Sequence, residues 1–382
     1  MLSSTHPMTA LNSTLERTEP VVPATKTRLE SLDLFRGLAI LAVVGIHVSG
    51  HALRIPGLSS GALELLQTLN RLLQFAVPGF LFMTALVFAY QYAHKPLELN
   101  TFYRKRLTSV VQPYLVWTVL YAVFTVLATK LTLFNLLEPR RWLEWILTGK
   151  AFFHLYFMVI VIQFYLLFPL LMPAFKNRTR FEWRSSALTL LAIAALQISF
   201  YWLNRLYFRI PNIGSVALWH TVSLGLGLFI GSSLPDWPRL WVRARVPFVA
   251  LLVLAVLWYT PIALSALRGS SVNTFAAALS GWLYSGMVAL LLLGLCTWLE
   301  GRFNLSRPRF YNVLLTLGTY SLQIYLIHPA VMKVLEFLGK HGLGFLERLS
   351  GHVLVYVLAV LIPLAFGYLI RGTALSKVLF GR

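Results

Sequence analysis

Apolar runs of about the length that crosses a bilayer as helix, separated by short polar stretches, fill the chain from residue 34 to residue 370. A helix rising 1.5 Å per residue needs roughly 20 mostly apolar residues to cross the hydrocarbon core. That requirement picks out segments 34–53, 73–92, 110–129, 153–173 and 186–204, followed by 215–234, 246–266, 277–298, 313–333 and 353–370. The fifth is the least sharply bounded, because it runs into Tyr201, Asn204 and Arg205. The pattern therefore predicts an all-α, polytopic membrane protein with about ten transmembrane helices. An even number of crossings puts both termini on one side.

Composition agrees, since 58% of residues are hydrophobic and only 12% charged, far from the balance of a water-soluble domain. The net charge of +20 does not point to nucleic acid, because the basic residues are scattered through short loops rather than gathered in a domain or arm. They act as topology signals. Of the 33 Lys and Arg, 20 fall on the side of the N-terminus and 12 on the other, with Arg36 inside the first span. Short cytosolic loops are the ones enriched in Lys and Arg, so both termini are expected in the cytosol and the protein in the plasma (inner) membrane. Arg104, Lys105 and Arg106, with Lys176, Arg178, Arg180 and Arg184, carry most of that orientation.

Residues 1–30 hold Glu16, Glu19, Pro20 and Pro23 without a compact apolar stretch, and are expected as a disordered cytosolic tail rather than a signal peptide. Residues 31–371 then form one membrane domain, and 372–382 a short cytosolic tail. A segment around Arg141, Trp142, Trp145 and Ile146 has the mix of basic and aromatic residues that favours the outer interface. The single cysteine, Cys296, lies in an apolar run, which leaves no intramolecular disulfide or thiolate cluster.

Chemistry concentrates in the first span, Ser31-Leu-Asp33-Leu-Phe-Arg36-Gly-Leu-Ala-Ile-Leu-Ala-Val-Val-Gly-Ile-His47. Eleven positions at 3.6 residues per turn bring Arg36 and His47 to nearly the same face, about 16 Å apart along the axis. An ionisable residue within a span faces a protein interior or a wet cavity and marks function by default. The plainer alternatives are a snorkelling Arg36 paired with Asp33, and a His47 held by a backbone carbonyl. His154 opens the fourth span, and His328 sits about 22 Å into the ninth by the same helical rise, so three histidines share the outer half. His47 and His51 could chelate a metal at i and i+4, but neither carboxylate nor thiol stands near them in sequence, and no metal is expected.

The segment Leu32-Asp33-Leu-Phe-Arg36-Gly37, followed by His47, resembles the opening of acyltransferase family 3, the integral membrane acyltransferases, whose hallmark is an arginine and a histidine ten intervening residues apart. Further stretches are similar in the same order: Val77-Pro78-Gly79-Phe80-Leu81-Phe82, then Tyr103-Arg104-Lys105-Arg106 leading to Pro113-Tyr114-Leu115-Val116-Trp117, then His154-Leu155-Tyr156-Phe157. A last one is Tyr320-Ser321-Leu-Gln-Ile324-Tyr325-Leu326-Ile327-His328-Pro329. The likeness covers roughly residues 30–370. Thr84-Ala85 departs from the serine and glycine common after the Phe-Leu-Phe run, and Tyr156 from a common tryptophan, which touches substrate selection more than the reaction.

The resemblance implies an acetyl-CoA-dependent O-acyltransferase that moves an acyl group from cytosolic acyl-CoA to a hydroxyl of an extracytoplasmic glycan or lipid-linked sugar. In that reading His47, Arg36 and Asp33 are catalytic, with His47 as general base. Arg36, Arg104, Lys105 and Arg106 bind the phosphates of the coenzyme, and His154, Tyr156, Ser321, Tyr325 and His328 line the acceptor site. The competing class is an exporter or flippase of a glycan or acylated intermediate. Proton-coupled carriers place carboxylates in their spans, whereas the 13 acidic residues here fall in tails, loops and helix ends, which favours the enzyme. A sensing or scaffolding protein would be indifferent to His47.

Overall fold

The computed structural model describes residues 29–128, 136–176, 178, 180–303, 305–339 and 344–381, which form a helical bundle with no strand among them. Most of the expected N-terminal tail lies outside these residues, and Glu30 already opens the first helix, α1 (Glu30–Ala52). After it come α2 (Ser60–Leu72), α3 (Ala76–Tyr92), α4 (Leu99–Arg106), α5 (Gln112–Ala128), α6 (Pro139–Thr148) and α7 (Tyr156–Leu171). The second half holds α8 (Trp183–Leu203), α9 (Thr221–Ser232), α10 (Trp237–Leu267), α11 (Thr274–Phe303), α12 (Arg309–Thr319), α13 (Ser321–Leu338), α14 (Leu349–Leu369) and α15 (Ala374–Phe380). Ser59 caps α2 by accepting from the Ala62 amide at 3.3 Å, and Thr373 caps α15 through the Ser376 amide at 3.2 Å, as short hydroxyl side chains do at helix starts.

Among the described residues, eight helical stretches are long and apolar enough to cross a membrane, so the chain is an all-α membrane protein. They correspond to eight of the ten expected segments. The expected sixth segment is the shorter apolar helix over Ala217–Ser232, whose α9 portion is buried in the bundle against α3. The expected ninth is divided: α12 ends at Thr319, the φ of −98° and ψ of 14° at Tyr320 leave the helical region, and α13 starts afresh at Ser321. The segment around Arg141 to Ile146 forms α6, tied to α5 where the Tyr114 hydroxyl donates to the Ile146 carbonyl at 2.8 Å.

Two features set the frame for the chemistry. Apolar side chains gain little by leaving lipid for protein, so membrane helices associate through close packing at small residues. Here α1 and α12 meet at Gly37 and Gly318: a methyl group added to Gly318 would overlap the Asp33 carbonyl, and one on Gly37 the Leu314 carbonyl. The second feature is a π turn over Leu107–Val111 between α4 and α5. Pro113 has no N–H and its ring crowds the carbonyl four residues back, so the widened turn lets the helix run into the proline. It directly follows Arg106. Residues 374–380, expected as tail, fold as α15 against α5, where the Trp117 indole donates to the Leu379 carbonyl at 2.9 Å and Phe380 is buried. By contrast α10 turns Val253, Leu254 and Leu257 outward, as a helix on the lipid side would.

Candidate functional site

Arg36 and His47 both lie on α1, each half-buried among neighbours that are almost wholly buried. Arg36 Nη1 donates to Asp33 Oδ1 at 3.1 Å, with the Asp33 side chain 8% exposed and that of Arg36 35%. The i, i+3 spacing makes this pairing a local property of the helix, and the α12 contact at Gly318 fixes the backbone from which Asp33 projects. Glu30, one turn earlier, accepts from Arg307 at 2.7 Å and from the Tyr311 hydroxyl at 2.8 Å, anchoring the start of α1 to α12.

The three basic residues of α4 separate. Arg104 and Lys105 are exposed. Arg106 turns inward, its guanidinium 4.5 Å from the centre of the Phe88 ring, 5.5 Å from Phe102 and 5.7 Å from Tyr165. A guanidinium over aromatic faces gains cation–π attraction and stays in place. Tyr165 of α7 lies within the electrostatic reach of both Arg106 and Arg36, so these two cations approach one region from different helices. Arg307, by pairing with Glu30, is engaged elsewhere.

At the other end of α1 the three histidines meet. The His47 ring stacks on that of His328 at 5.4 Å between centroids and 28° between planes, and His328 lies 5.9 Å from His154. His154 is 2% exposed and His328 fully buried. Three contacts assemble the cluster from distant parts of the chain. The Tyr325 hydroxyl donates to the His154 carbonyl, the Tyr121 hydroxyl of α5 donates to the Leu326 carbonyl at 2.6 Å, and the Phe153 ring packs 4.8 Å from His47. Tyr325 therefore holds the approach to α7 against α13.

His328 Nδ1 bonds the Ile324 carbonyl at 2.9 Å. A carbonyl only accepts, so Nδ1 carries the hydrogen and Nε2 of the neutral ring is left as an acceptor. That Nε2 and both ring nitrogens of His154 are buried without a well-formed protein hydrogen bond, the Leu326 carbonyl being a backbone acceptor close to the His154 ring. Leaving a buried polar atom unpaired costs about 1–3 kcal/mol, and a third of the buried unpaired side-chain atoms among the described residues fall in this one cluster.

Tyr156, at the start of α7, lines a cavity together with Phe153. Ser321 is buried at the start of α13, two turns and about 10 Å of helix from His328, and no described contact joins it to the histidines. Asn70 was not singled out by the sequence. It is buried in α2, and its Nδ2 donates to the Ile46 carbonyl and to Ser49 Oγ, each at 2.9 Å, bracing α1 on both sides of His47. Its signal was faint: an Asn-Arg pair, Asn70-Arg71, set between leucines in a stretch read as a loop. Phe153 was hidden as one more apolar residue at a span's edge. Among the described residues no group of three or more His, Cys, Asp or Glu could hold a metal ion.

No curated protein and no solved structure matches the chain. The model of acyltransferase family 3, described as an acyltransferase domain, matches residues 29–371. That match takes in α1 with Arg36 and His47, the approach to α7 with His154, and α13 with His328, and the chain belongs to this acyltransferase family.

Proposed function

We propose that the protein transfers an acyl group, acetyl in the first instance, from cytosolic acyl-CoA to a hydroxyl of an extracytoplasmic glycan or lipid-linked sugar, with both termini in the cytosol of a plasma-membrane protein. The observation that carries this reading is the half-open His47 backed by His328 and His154, with three buried ring nitrogens lacking well-formed protein hydrogen bonds. In the proposed step His47 takes the proton from the acceptor hydroxyl as its oxygen attacks the thioester carbonyl carbon. The new C–O bond forms, the C–S bond breaks, and the proton passes from His47 to the departing coenzyme A thiolate.

Arg36, oriented by Asp33, and Arg106 supply positive charge at the opposite end, where phosphates of the coenzyme would dock. Arg104 and Lys105 contribute at the exposed rim. The roughly 16 Å of helix between Arg36 and His47 suits an extended donor with its phosphates at one end and its thioester at the other. Tyr325 acts as a positioning residue through the His154 carbonyl. Export of a glycan is the weaker reading, because the family the chain belongs to is one of acyltransferases and no Asp or Glu stands mid-span as a coupled carrier would place one.

The deciding experiment follows labelled acetyl-CoA into the membrane and glycan fractions of vesicles. His47→Ala is expected to reduce transfer at least about 100-fold, the usual scale for loss of a general base, and Arg36→Ala to raise the half-saturating concentration of acetyl-CoA. Unchanged labelling by a folded His47→Ala protein would remove His47 from the chemistry and bring export forward.

A further inference from the structure

Beside the histidine cluster lies a cavity of about 840 Å³, the one that Tyr156 lines. Its wall toward the cluster is Phe153, whose ring touches His47. Tyr156 and Trp219 add two more aromatic faces, and Gln74, Asn212 and His220 add polar groups. The volume falls within the range of sites that enclose small ligands.

The segment 209–220 that forms one side is braced by hydrogen bonds from the helices beside it. Arg209 and Asn212 have φ of 48° and 53°, left-handed values that asparagine adopts readily and that cost arginine roughly 1–2 kcal/mol. Asn204 accepts from the Arg209 amide at 2.8 Å through its carbonyl and from the Ile210 amide at 2.9 Å through its side chain. From within α7, Gln163 donates to the Ser215 carbonyl at 3.1 Å and accepts from the Ala217 amide at 2.8 Å. Yet residues 209–216 bury no side chain in the core, so this bracing serves the face turned to the cavity.

The lining also states what kind of ligand it suits. It contains no carboxylate, and its one cation, Lys150, is paired with Glu144 at 2.9 Å, so neither a metal ion nor a strongly anionic group is selected. A hydrocarbon chain would leave the amide and imidazole groups unpaired. His220 gives its Nε2 hydrogen to the Gly214 carbonyl at 2.9 Å, which leaves Nδ1 to accept. Flat aromatic faces alternating with amide and imidazole groups complement a neutral ring whose faces are apolar and whose rim is hydroxylated.

We infer that this cavity is the acceptor subsite and that it holds a neutral pyranose unit, stacked on Trp219 and Tyr156 and hydrogen-bonded by Asn212 and His220, one wall away from His47. The inference rests on the proposed transfer reaction and adds to it the place where the acceptor's ring sits and the residues that hold it. Phe153 then divides the acceptor's ring from the histidines, so that one hydroxyl reaching past its edge meets His47.

The test uses the purified chain in liposomes, labelled acetyl-CoA, and increasing amounts of the glycan fraction of its native membranes. Trp219→Ala is expected to raise the glycan needed for half-maximal transfer at least about 10-fold, as loss of an aromatic anchor does, while half-saturation by acetyl-CoA stays within about twofold of native. Trp219→Phe, which keeps a flat ring, restores most of the loss. Asn212→Cys offers a second route, since Cys296 is buried and a bulky maleimide would react at residue 212 alone. The labelled protein should lose transfer yet still bind acetyl-CoA, measured directly with the labelled donor. An unaltered glycan dependence in Trp219→Ala, or full transfer after labelling, overturns the subsite and leaves the reaction standing. Absence of His47-dependent transfer in the native protein overturns the reaction itself, and the subsite with it.

Discussion

Tyr325 shows how much one hydroxyl does here. Its ring packs 5.2 Å from that of His154 and its oxygen donates to the His154 backbone, so a single side chain sets both where the loop before α7 lies and how its imidazole is faced. Tyr325→Phe keeps the ring and removes only the hydrogen bond, a loss of about 1 kcal/mol in stability. The expected result is a fall in the maximal rate of about 10-fold with half-saturation by acetyl-CoA unchanged, read in the vesicle transfer assay; equal changes in both would make the hydroxyl a general prop. Arg36 and His47 were legible in sequence, because an eleven-residue interval on one helix has a geometry that follows from the helix alone. His154 and His328 were legible as companions at one level of the bundle but not as settled neighbours, since their approach depends on Tyr121, Tyr325 and the turn at Tyr320. Asn70 and Phe153 were not legible at all, for each acts through a tertiary contact that leaves no periodic trace.

At the scale of elements, the contact of α1 with α12 governs where Asp33 and Arg36 point. Gly318→Ala is expected to force the two helices apart, at the 1–3 kcal/mol typical of overpacking, which thermal unfolding in detergent would register as a lowered midpoint. Arg36 should then bind the donor less well while the histidine end, held by other contacts, keeps its geometry; an unchanged midpoint would mean the helices part without cost. The apolar pattern located eight of these elements because length and hydropathy are properties of a segment by itself. The other two expected segments fold as shorter pieces: α9 is buried in the bundle, where burial in protein reads the same as burial in lipid, and the α12–α13 pair is broken at Tyr320. The π turn after Arg106 was likewise invisible, although Pro113 explains it once seen.

For the molecule as a whole, the distribution of Lys and Arg makes a prediction independent of the site. Tags placed at the two termini should both be accessible from the cytosolic side, read by protease protection in sealed vesicles; one protected terminus would require an odd number of crossings. The grouping of Arg36 with Arg106, and of His47 with His154 and His328, follows the polarity that such an arrangement would give. Its two ends are nonetheless stitched by contacts between residues far apart in the chain. Trp117 and Leu379 are 262 positions apart, and Gly381 packs on Thr108 and Ser109 of the π turn. On a chain inserted from its N-terminus, the turn behind Arg106 therefore waits for nearly all the other helices to be made before α15 arrives to cover it. Maturation of that mouth is thus timed by synthesis, and a nascent protein halted before residue 374 would carry its histidines in place while its basic end was still unfinished.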